Sequence, residues 1–321
     1  MPGISPFSRL GAGRLGGARN AVMALWACVA GSLLLAACAT SGERAIPAIG
    51  SISPQLRLES VAAVSGPDEL TVMTMNIAHA RRDGFHQLFQ STTTAIDNLN
   101  AIGALLIQQA PDIVALQEAD GPSFWSGDFN HVAYLAETGA FAHHVRGEHV
   151  RGPRLSYGTA LLSDKQLRDP LSVTFEPGLS PLPKGFVVSS IQWPGAPGLQ
   201  VDVVSLHLDP FNPSLRHNQA VELITTLRAR GFPVILMGDF NTDWQDEGSV
   251  LRMTAETLRL KAYQPHNAQL QTFPALGKRL DWILVSEHFE FLSHETLPAG
   301  LSDHRGVIAR LKLAAPLSRP L

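Results

Sequence analysis

Residues 233–241 read PVILMGDFN, and this stretch decides the fold class. The apolar run between Pro233 and Met237 is typical of a short strand buried on both faces. Asp239 and Asn241 follow at once, although a buried core rarely accepts such side chains. An apolar run closed by polar groups predicts a strand whose end presents those groups to a cleft.

The same succession recurs along the chain. Predicted strands end or begin with a carboxylate, an amide or an imidazole, and these residues are Asn76, Glu118, His207, Asp239, Asn241, Asp281, Asp303 and His304. Taken singly, each has an ordinary explanation as a turn former, a solvated acid, a core histidine or a cap. Because sheets present strand-end side chains to clefts, the set as a whole predicts an active site.

Apolar periodicity outlines the rest of the architecture. Helices are predicted over residues 91–110, 214–230 and 250–260, and strands over 70–76, 112–117, 159–162, 186–191, 200–206, 233–237, 280–286 and 307–313. Several strands follow one another directly, while others alternate with helices. This mixture favours an α/β fold of two packed mixed β-sheets with flanking helices. The segment HHVRGEHVRGPR at 143–154 lacks apolar periodicity and is predicted to be a basic loop.

Composition excludes several classes of protein. Of 321 residues, 45% are hydrophobic and 17% are charged, which argues against disorder and against a polytopic membrane protein. A net charge of −3 argues against a dedicated duplex-DNA binder, although it excludes no nuclease that works through metal ions. The two cysteines, Cys28 and Cys38, both precede the predicted domain, which therefore has no disulfide framework.

The first residues predict export and anchoring. Three arginines precede an apolar run that ends in Leu35-Ala36-Ala37-Cys38, a sequence that looks like a bacterial lipobox. We therefore expect a signal peptide over 1–37, lipidation of Cys38, a tether over 38–69, the folded domain over 70–313 and a tail over 314–321. An uncleaved N-terminal anchor is the alternative. The resemblance implies an exported lipoprotein at the outer membrane or facing the periplasm.

Seven short motifs together resemble the endonuclease/exonuclease/phosphatase family, also called the DNase I-like fold. The motifs are Met75-Asn76-Ile77, Gln117-Glu118, Tyr157-Gly158, Ser205-Leu206-His207, Gly238-Asp239-Phe240-Asn241, Leu280-Asp281-Trp282-Ile283 and Ser302-Asp303-His304. The GDFN and SDH motifs are the specific markers. The resemblance implies a four-layer α/β sandwich that hydrolyses phosphoesters with a divalent metal.

The resemblance also assigns roles to single residues. Glu118 would be the principal metal ligand, with Asn76 and Asp303 nearby. Such hard oxygen ligands suit Mg²⁺, with Mn²⁺ or Ca²⁺ as alternatives. His304 would be held by Asp281, as an imidazole is held by a carboxylate in a catalytic triad.

The remaining site residues would act on the phosphate and the attacking water. Asp239 and Asn241 would position both, and either Asp239 or His304 would take the proton. His207 is typical of DNase I-like nucleases, sphingomyelinases and inositol-phosphate phosphatases, and Tyr157 matches a phosphate-contacting tyrosine of some members.

Several substrates stay open at this point. A phosphodiesterase acting on extracytoplasmic nucleic acid is the leading hypothesis, because the basic segment suits a polyanion. A lipid-headgroup phosphodiesterase, a phosphomonoesterase and a non-catalytic binding lipoprotein are the alternatives. Trp125 and Phe129 are candidates for base stacking, and Lys184 for the cleft mouth. No obligate protein partner is evident, and the lipid would supply the membrane contact.

Overall fold

The computed structural model describes residues 49–51, 68–82, 84, 91–178 and 182–314. The predicted signal peptide, most of the tether and the tail from residue 315 lie outside these residues. In the described part, no helix is both long enough and apolar enough to cross a membrane.

One sheet of the described chain has seven strands. In spatial order they are β1 (Ile49–Ser51), β4 (His143–Gly152), β5 (Leu155–Ser163), β3 (Ile113–Asp120), β2 (Glu69–Asn76), β13 (Val307–Leu313) and β12 (Phe289–Thr296). Only β2 and β3 pair in parallel, and the other neighbours are antiparallel. The carboxyl ends of β2 and β3 therefore meet at one edge.

The second sheet has six strands and a similar plan. In spatial order they are β10 (Leu260–Ala262), β11 (Asp281–Ser286), β9 (Val234–Asp239), β8 (Gln200–His207), β7 (Gly185–Gln192) and β6 (Arg168–Thr174). Here β8 and β9 are the parallel pair, and His207 is the register partner of Asp239. Asp281, at the start of antiparallel β11, is also a partner of Asp239, so three predicted site residues share one edge.

Helices cover the outer faces of the sheets. They are α1 (Thr92–Gln109), α2 (His131–Thr138), α3 (Pro213–Arg230) and α4 (Val250–Leu258), and a 3₁₀ turn spans Ala78–Ala80. The side chain of Ser91 caps α1, and that of Asn212 caps α3 by accepting two backbone N–H groups. Such caps satisfy amide groups that the first turn leaves unpaired.

Three apolar clusters hold the layers together. Side chains from both sheets, such as Val72, Ile113, Val203 and Ile235, fill the space between the sheets. A second cluster joins α1 and α2 to the first sheet, and a third joins α3 and α4 to the second sheet. The order helix, sheet, sheet, helix confirms the predicted four-layer sandwich.

The predicted basic loop at 143–154 is wrong, because residues 143–152 form β4. Arg146 and His149 are buried with partners, although Arg151 and Arg154 stay exposed. Arg146 and Ser156 both contact the Glu148 carboxylate, and His149 Nε2 lies 2.9 Å from Thr159 Oγ1. Buried polar groups hide the alternation that usually marks a strand.

Other differences concern element bounds. Helix α3 begins at Pro213, one residue before the predicted start at residue 214, and Asn212 is its cap. Strands β1, β6, β10 and β12 and helix α2 have no counterpart in the sequence prediction. β1 occupies three residues of the predicted tether and pairs with β4.

Candidate active site

Asp239 is the centre of a polar cluster at the shared edge. Its Oδ2 accepts a hydrogen bond from Asn76 Nδ2 at 3.1 Å, which joins the two sheets. The Nε2 atoms of His207 and His304 lie 3.5 Å and 3.8 Å from the same oxygen. Burial raises the pKa of Asp239 to about 7, although the charge of His304 opposes the rise. A carboxylate with that pKa is suited to exchanging a proton near neutral pH.

His304 is held in place by Asp281. The Asp281 carboxylate is fully buried, and its Oδ2 lies 2.8 Å from His304 Nδ1. The Phe273 ring lies against the imidazole of His304, with 4.7 Å between the ring centroids. Burial alone would lower the pKa of His304, but Asp281 and Asp239 raise it to about 10. The structure thus brings the predicted pair together as an imidazolium between two carboxylates.

His207 has a different protonation state from His304. It is the last residue of β8 and is 4% exposed. Burial lowers its pKa well below the usual range, and the charge of Lys184 lowers it further. A neutral imidazole therefore faces Asp239, and the two histidines supply different groups to one cleft.

Asn241 supports the turn that follows β9. Its backbone N–H donates to Asp239 Oδ1 at 2.9 Å, and its Nδ2 donates to the Leu208 carbonyl at 2.9 Å. The residue has a φ of 49°, a conformation that Asn tolerates better than most residues. The structure places Asn241 as a support for Asp239, and its predicted contact with phosphate stays a prediction.

Glu118 lies on a bulge of β3, where the register shifts between Leu116 and Ala119. Its φ is 51°, unusual for a residue with a side chain. Glu118 Oε1 lies 3.6 Å from Lys184 Nζ, and Oε2 lies 3.4 Å from His79 Nε2. Burial raises the pKa of this carboxyl, but His79 and Lys184 lower it more, to well below its usual range. Glu118 is therefore a fully ionised carboxylate.

The other two predicted metal ligands have protein partners. Asn76 Oδ1 accepts the backbone N–H of Ala78 at 3.0 Å. Asp303 pairs with Arg81, with 2.5 Å between Oδ2 and Nη2. Both would have to share their oxygens with a cation, so their role as ligands stays a prediction.

The chemistry of the donors fits a divalent cation in two positions. Asp239, Asp281 and His304 each place a ligand atom within 4.8 Å of the others, and Asp281 Oδ1 is buried with no hydrogen-bond partner among the described residues. The second position is the Glu118 carboxylate, near which the Tyr157 hydroxyl is also buried with no hydrogen bond in the described chain. Because His304 already occupies the other Asp281 oxygen, Glu118 is the freer ligand.

The aromatic candidates belong to the packing around Glu118. Tyr157 and Trp125 are 2% and 4% exposed and form one small cluster. Trp125 Nε1 donates to Asp120 at 2.8 Å, and Phe129 packs beside α1 and α2. The hypothesis that Trp125 stacks on bases is therefore wrong, because its ring is buried, whereas Phe129 is half-buried and its stacking role stays a prediction. Burial raises the pKa of Tyr157, so its hydroxyl stays a donor.

Sequence reasoning missed four residues of the site or left them marginal. His79 and Asp120 form a buried pair beside Glu118, Arg81 pairs with Asp303, and Lys184 lies beside Glu118. His79 follows Asn76 by three positions, and Asp120 follows Glu118 by two. The strand-end argument used for the other residues would have found these two.

Two packed sheets with a carboxylate and histidine cluster at their shared edge define an α/β sandwich with the groups of a hydrolytic active site. Comparison with known families then identifies it. Residues 73–304 match the Endonuclease/Exonuclease/phosphatase family, and the chain belongs to that family. Its members are phosphoesterase hydrolases, and this protein is one of them.

Solved structures share the fold. An endonuclease/exonuclease/phosphatase from Beutenbergia cavernae superposes with a TM-score of 0.59 at 22% identity, over 77% of this chain and 72% of that one. The human nocturnin catalytic domain superposes with a TM-score of 0.57 at 16% identity, over 84% of this chain and 98% of that one. Sphingomyelinase C from Streptomyces griseocarneus superposes with a TM-score of 0.54 at 18% identity, over 75% of this chain and 99% of that one. No curated protein sequence matches this chain significantly.

Proposed function

We propose that this protein is a phosphodiesterase that requires a divalent cation, Mg²⁺ first, and that its substrate is extracytoplasmic nucleic acid. One observation carries the proposal. A buried carboxylate with a pKa of about 7, Asp239, faces the neutral His207 and the charged His304 at 3.5 Å and 3.8 Å. Ester hydrolysis needs such a combination of proton acceptor and charge-stabilising donors.

The protein groups divide the work of hydrolysis. Asp239 accepts the proton of the attacking water, because His304 is already protonated and His207 is directed at the same carboxylate. The imidazolium of His304, oriented by Asp281, donates its Nε2–H toward charge on the phosphoryl oxygens. Asn76 holds Asp239 Oδ2 and leaves that carboxylate little freedom to rotate.

A divalent cation held by Glu118 would supply Lewis-acid stabilisation of the phosphoryl and leaving oxygens. The ionised carboxylate of Glu118 supports this assignment, since its side chain is 18% exposed and can be reached by a hydrated cation. Mg²⁺ needs few protein carboxylates because it retains several waters.

Two exposed arginines support a polyanionic substrate. Arg151 and Arg154 have side chains that are 77% and 70% exposed at the tip of the β4–β5 hairpin. Because Tyr157 of β5 is the register partner of Asp120 at the end of β3, that tip extends from the active-site edge. Arginine suits contacts to successive phosphates, and exposed side chains can move to meet them.

A lipid headgroup is the second candidate, and a different observation favours it. Phe124, Phe211 and Leu276 are 40%, 54% and 67% exposed. Phe124 follows β3, Phe211 follows β8 and Leu276 precedes β11, so all three belong to loops at the active-site edge. Apolar side chains around a cleft suit a substrate that lies in a membrane surface. Among the described residues, no comparable observation favours hydrolysis of a phosphomonoester or binding without catalysis.

The test is a substrate panel on the purified protein with Mg²⁺. Duplex and single-stranded DNA, RNA, sphingomyelin vesicles and inositol phosphates are compared for wild type, Glu118→Gln and the control Glu290→Gln. Glu290 is exposed and forms an ion pair with Lys312. Lys312 is also the register partner of Glu69, the first residue of β2, so this pair lies at the end of the sheet away from the site. Glu118→Gln should lose most activity, and Glu290→Gln should keep it. Full wild-type activity in EDTA would refute the metal requirement.

Paired substitutions decide between the substrates. Arg151→Ala with Arg154→Ala should lower nucleic-acid cleavage severalfold and weaken its salt dependence, while Arg168→Ala at the opposite edge should not. Phe124→Ser with Phe211→Ser should instead lower vesicle hydrolysis if a lipid is the substrate. Activity on no phosphodiester of the panel would overturn the proposal.

A further inference from the structure

A second carboxylate–imidazole pair lies beside Glu118, and the proposed reaction does not use it. His79 Nδ1 lies 2.6 Å from Asp120 Oδ1, and the Asp120 carboxylate is fully buried. The other ring nitrogen, Nε2, lies 3.4 Å from Glu118 Oε2. The order of groups is thus carboxylate, imidazole and carboxylate, as it is for Asp281, His304 and Asp239.

Asp120 is anchored on its far side. Its Oδ2 accepts Trp125 Nε1–H at 2.8 Å and the Ser126 hydroxyl at 2.5 Å. With His79 on Oδ1, each oxygen has a partner, so this buried carboxylate is fully satisfied. It cannot rotate without breaking several hydrogen bonds.

The His79 ring is also fixed by its neighbours. The Tyr157 and Trp125 rings contact it edge-on, with centroids 5.1 Å and 5.4 Å away. His79 is 6% exposed and has a φ of 53°. Such a backbone conformation is uncommon for residues with side chains and persists where the surroundings determine it. The ring therefore presents Nε2 to Glu118 in one orientation.

Glu118 needs an external support of this kind. It lies on a bulge with a φ of 51°, outside the regular ladder that would fix its direction. We propose that the Asp120–His79 pair is a positioning device for the Glu118 carboxylate. His79 holds Oε2, so that Oε1, which lies 3.6 Å from Lys184 Nζ, is the oxygen directed to the divalent cation. This inference rests on the proposed role of Glu118 as metal ligand.

Outer groups that orient a metal ligand commonly change metal affinity by about 10–100-fold when they are removed. Two amide substitutions separate the two ends of the ring. In His79→Asn the amide nitrogen is bonded to Cγ, as Nδ1 is, so it reaches Asp120 and not Glu118. In His79→Gln the amide nitrogen lies one bond further out, as Nε2 does, and reaches Glu118. Both side chains are neutral, so the comparison cancels the change in charge.

The measurement is Mn²⁺ binding by calorimetry on the full chain without substrate, together with Tm. We expect His79→Asn to keep its Tm and to bind Mn²⁺ about 10–100-fold more weakly, and His79→Gln to bind within about fivefold of wild type. Equal weakening in both variants, or unchanged binding in folded His79→Asn, would overturn the positioning role. If His79→Asn does not fold, Trp125→Phe removes one hydrogen bond from Asp120 while keeping a ring, and severalfold weaker binding is expected. Wild-type affinity in folded Trp125→Phe would then overturn it.

Glu118→Gln distinguishes failure of this inference from failure of the proposed function. If Glu118→Gln binds Mn²⁺ as wild type does, Glu118 is no ligand and both ideas fail. If Glu118→Gln binds weakly while folded His79→Asn binds normally, only the positioning role fails. Glu290→Gln, exposed and remote from the site, is the matched control, and it should keep the wild-type Mn²⁺ affinity.

Discussion

Buried carboxylates control the protonation and direction of the histidines in this site. Asp281 accepts from His304 Nδ1–H, so the proton on that nitrogen is fixed and Nε2 faces Asp239. His207 Nε2 lies 3.5 Å from Asp239 Oδ2, but burial lowers the pKa of His207 well below its usual range, so this ring is neutral. Identical side chains a few ångströms apart thus differ in charge because their neighbours differ.

Asp281→Asn tests the pairing directly. The amide cannot stabilise the imidazolium, so kcat should fall by about 10²–10⁴-fold with little loss of stability. The kcat of His304→Ala should fall at least as far. The kcat of the double variant should be little lower than that of His304→Ala, because the two residues act as a unit. Multiplicative losses in single-turnover kinetics would contradict the pairing. A mere turn cap at Asp281 would instead lower Tm and leave turnover nearly unchanged.

The pH profile of kcat/KM reports the same groups. Asp239 must be ionised to accept a proton, so the rate should rise as pH increases through about 7. His304 must stay protonated, so the rate should fall as pH increases through about 10. In Asp281→Asn the lost negative charge should move the alkaline limb to lower pH. An alkaline limb unmoved by this substitution would show that His304 is not the group that titrates there.

The site lies at the carboxyl ends of two pairs of parallel strands. β2 and β3 end at Asn76 and Asp120, and β8 and β9 end at His207 and Asp239. Between the sheets, Gln117 Nε2 donates to Ser205 Oγ at 3.0 Å, and Ser205 donates to the Leu116 carbonyl at 2.8 Å. This polar contact fixes one sheet against the other just behind the catalytic groups.

Gly238 allows β9 to lie against β8 at this edge. It has a φ of 146°, and a Cβ there would lie 2.0 Å from the Leu206 carbonyl oxygen. Gly238→Ala should therefore cost about 2–4 kcal/mol of unfolding free energy and lower activity by displacing Asp239. Gly231→Ala is the matched control, because its φ is 74° but no atom lies within 4 Å of the added Cβ. It should cost about 1 kcal/mol and leave activity intact. Equal losses in chemical denaturation would contradict the argument.

Attachment to a membrane concerns the whole molecule, and the described residues do not include the segment that would provide it. We propose that Cys38 is lipidated after cleavage behind Ala37, as the sequence Leu35–Cys38 predicts. Cys38→Ser should leave an unprocessed precursor without an acyl group, while the catalytic activity of the folded domain is kept. Mass spectrometry of the mature N-terminus and detergent phase partitioning measure this. A mature N-terminus elsewhere, without acylation of Cys38, would contradict it.

Strands with long apolar runs are readable from the sequence, even where buried polar side chains such as Thr74 and Ser205 interrupt the run. β2, β3, β8, β9, β11 and β13 were each predicted to within a few residues. β4 was not, because His149 and Arg146 are buried against partners that only the folded chain supplies. Edge strands such as β6 and β12 are partly exposed, so their alternation is too weak to distinguish from a loop.

The strand-end residues of the candidate site are predicted by the sequence as polar groups next to apolar runs, whereas His79, Asp120 and Arg81 are not. Their partners were decided by tertiary structure. Asn76 and Asp239 are 163 positions apart and meet because two sheets pack face to face. His79 joins Asp120 and Glu118 because a bulge turns β3 at that point. Side-chain chemistry is a local property of the chain, whereas distance, burial and therefore pKa depend on residues remote in sequence.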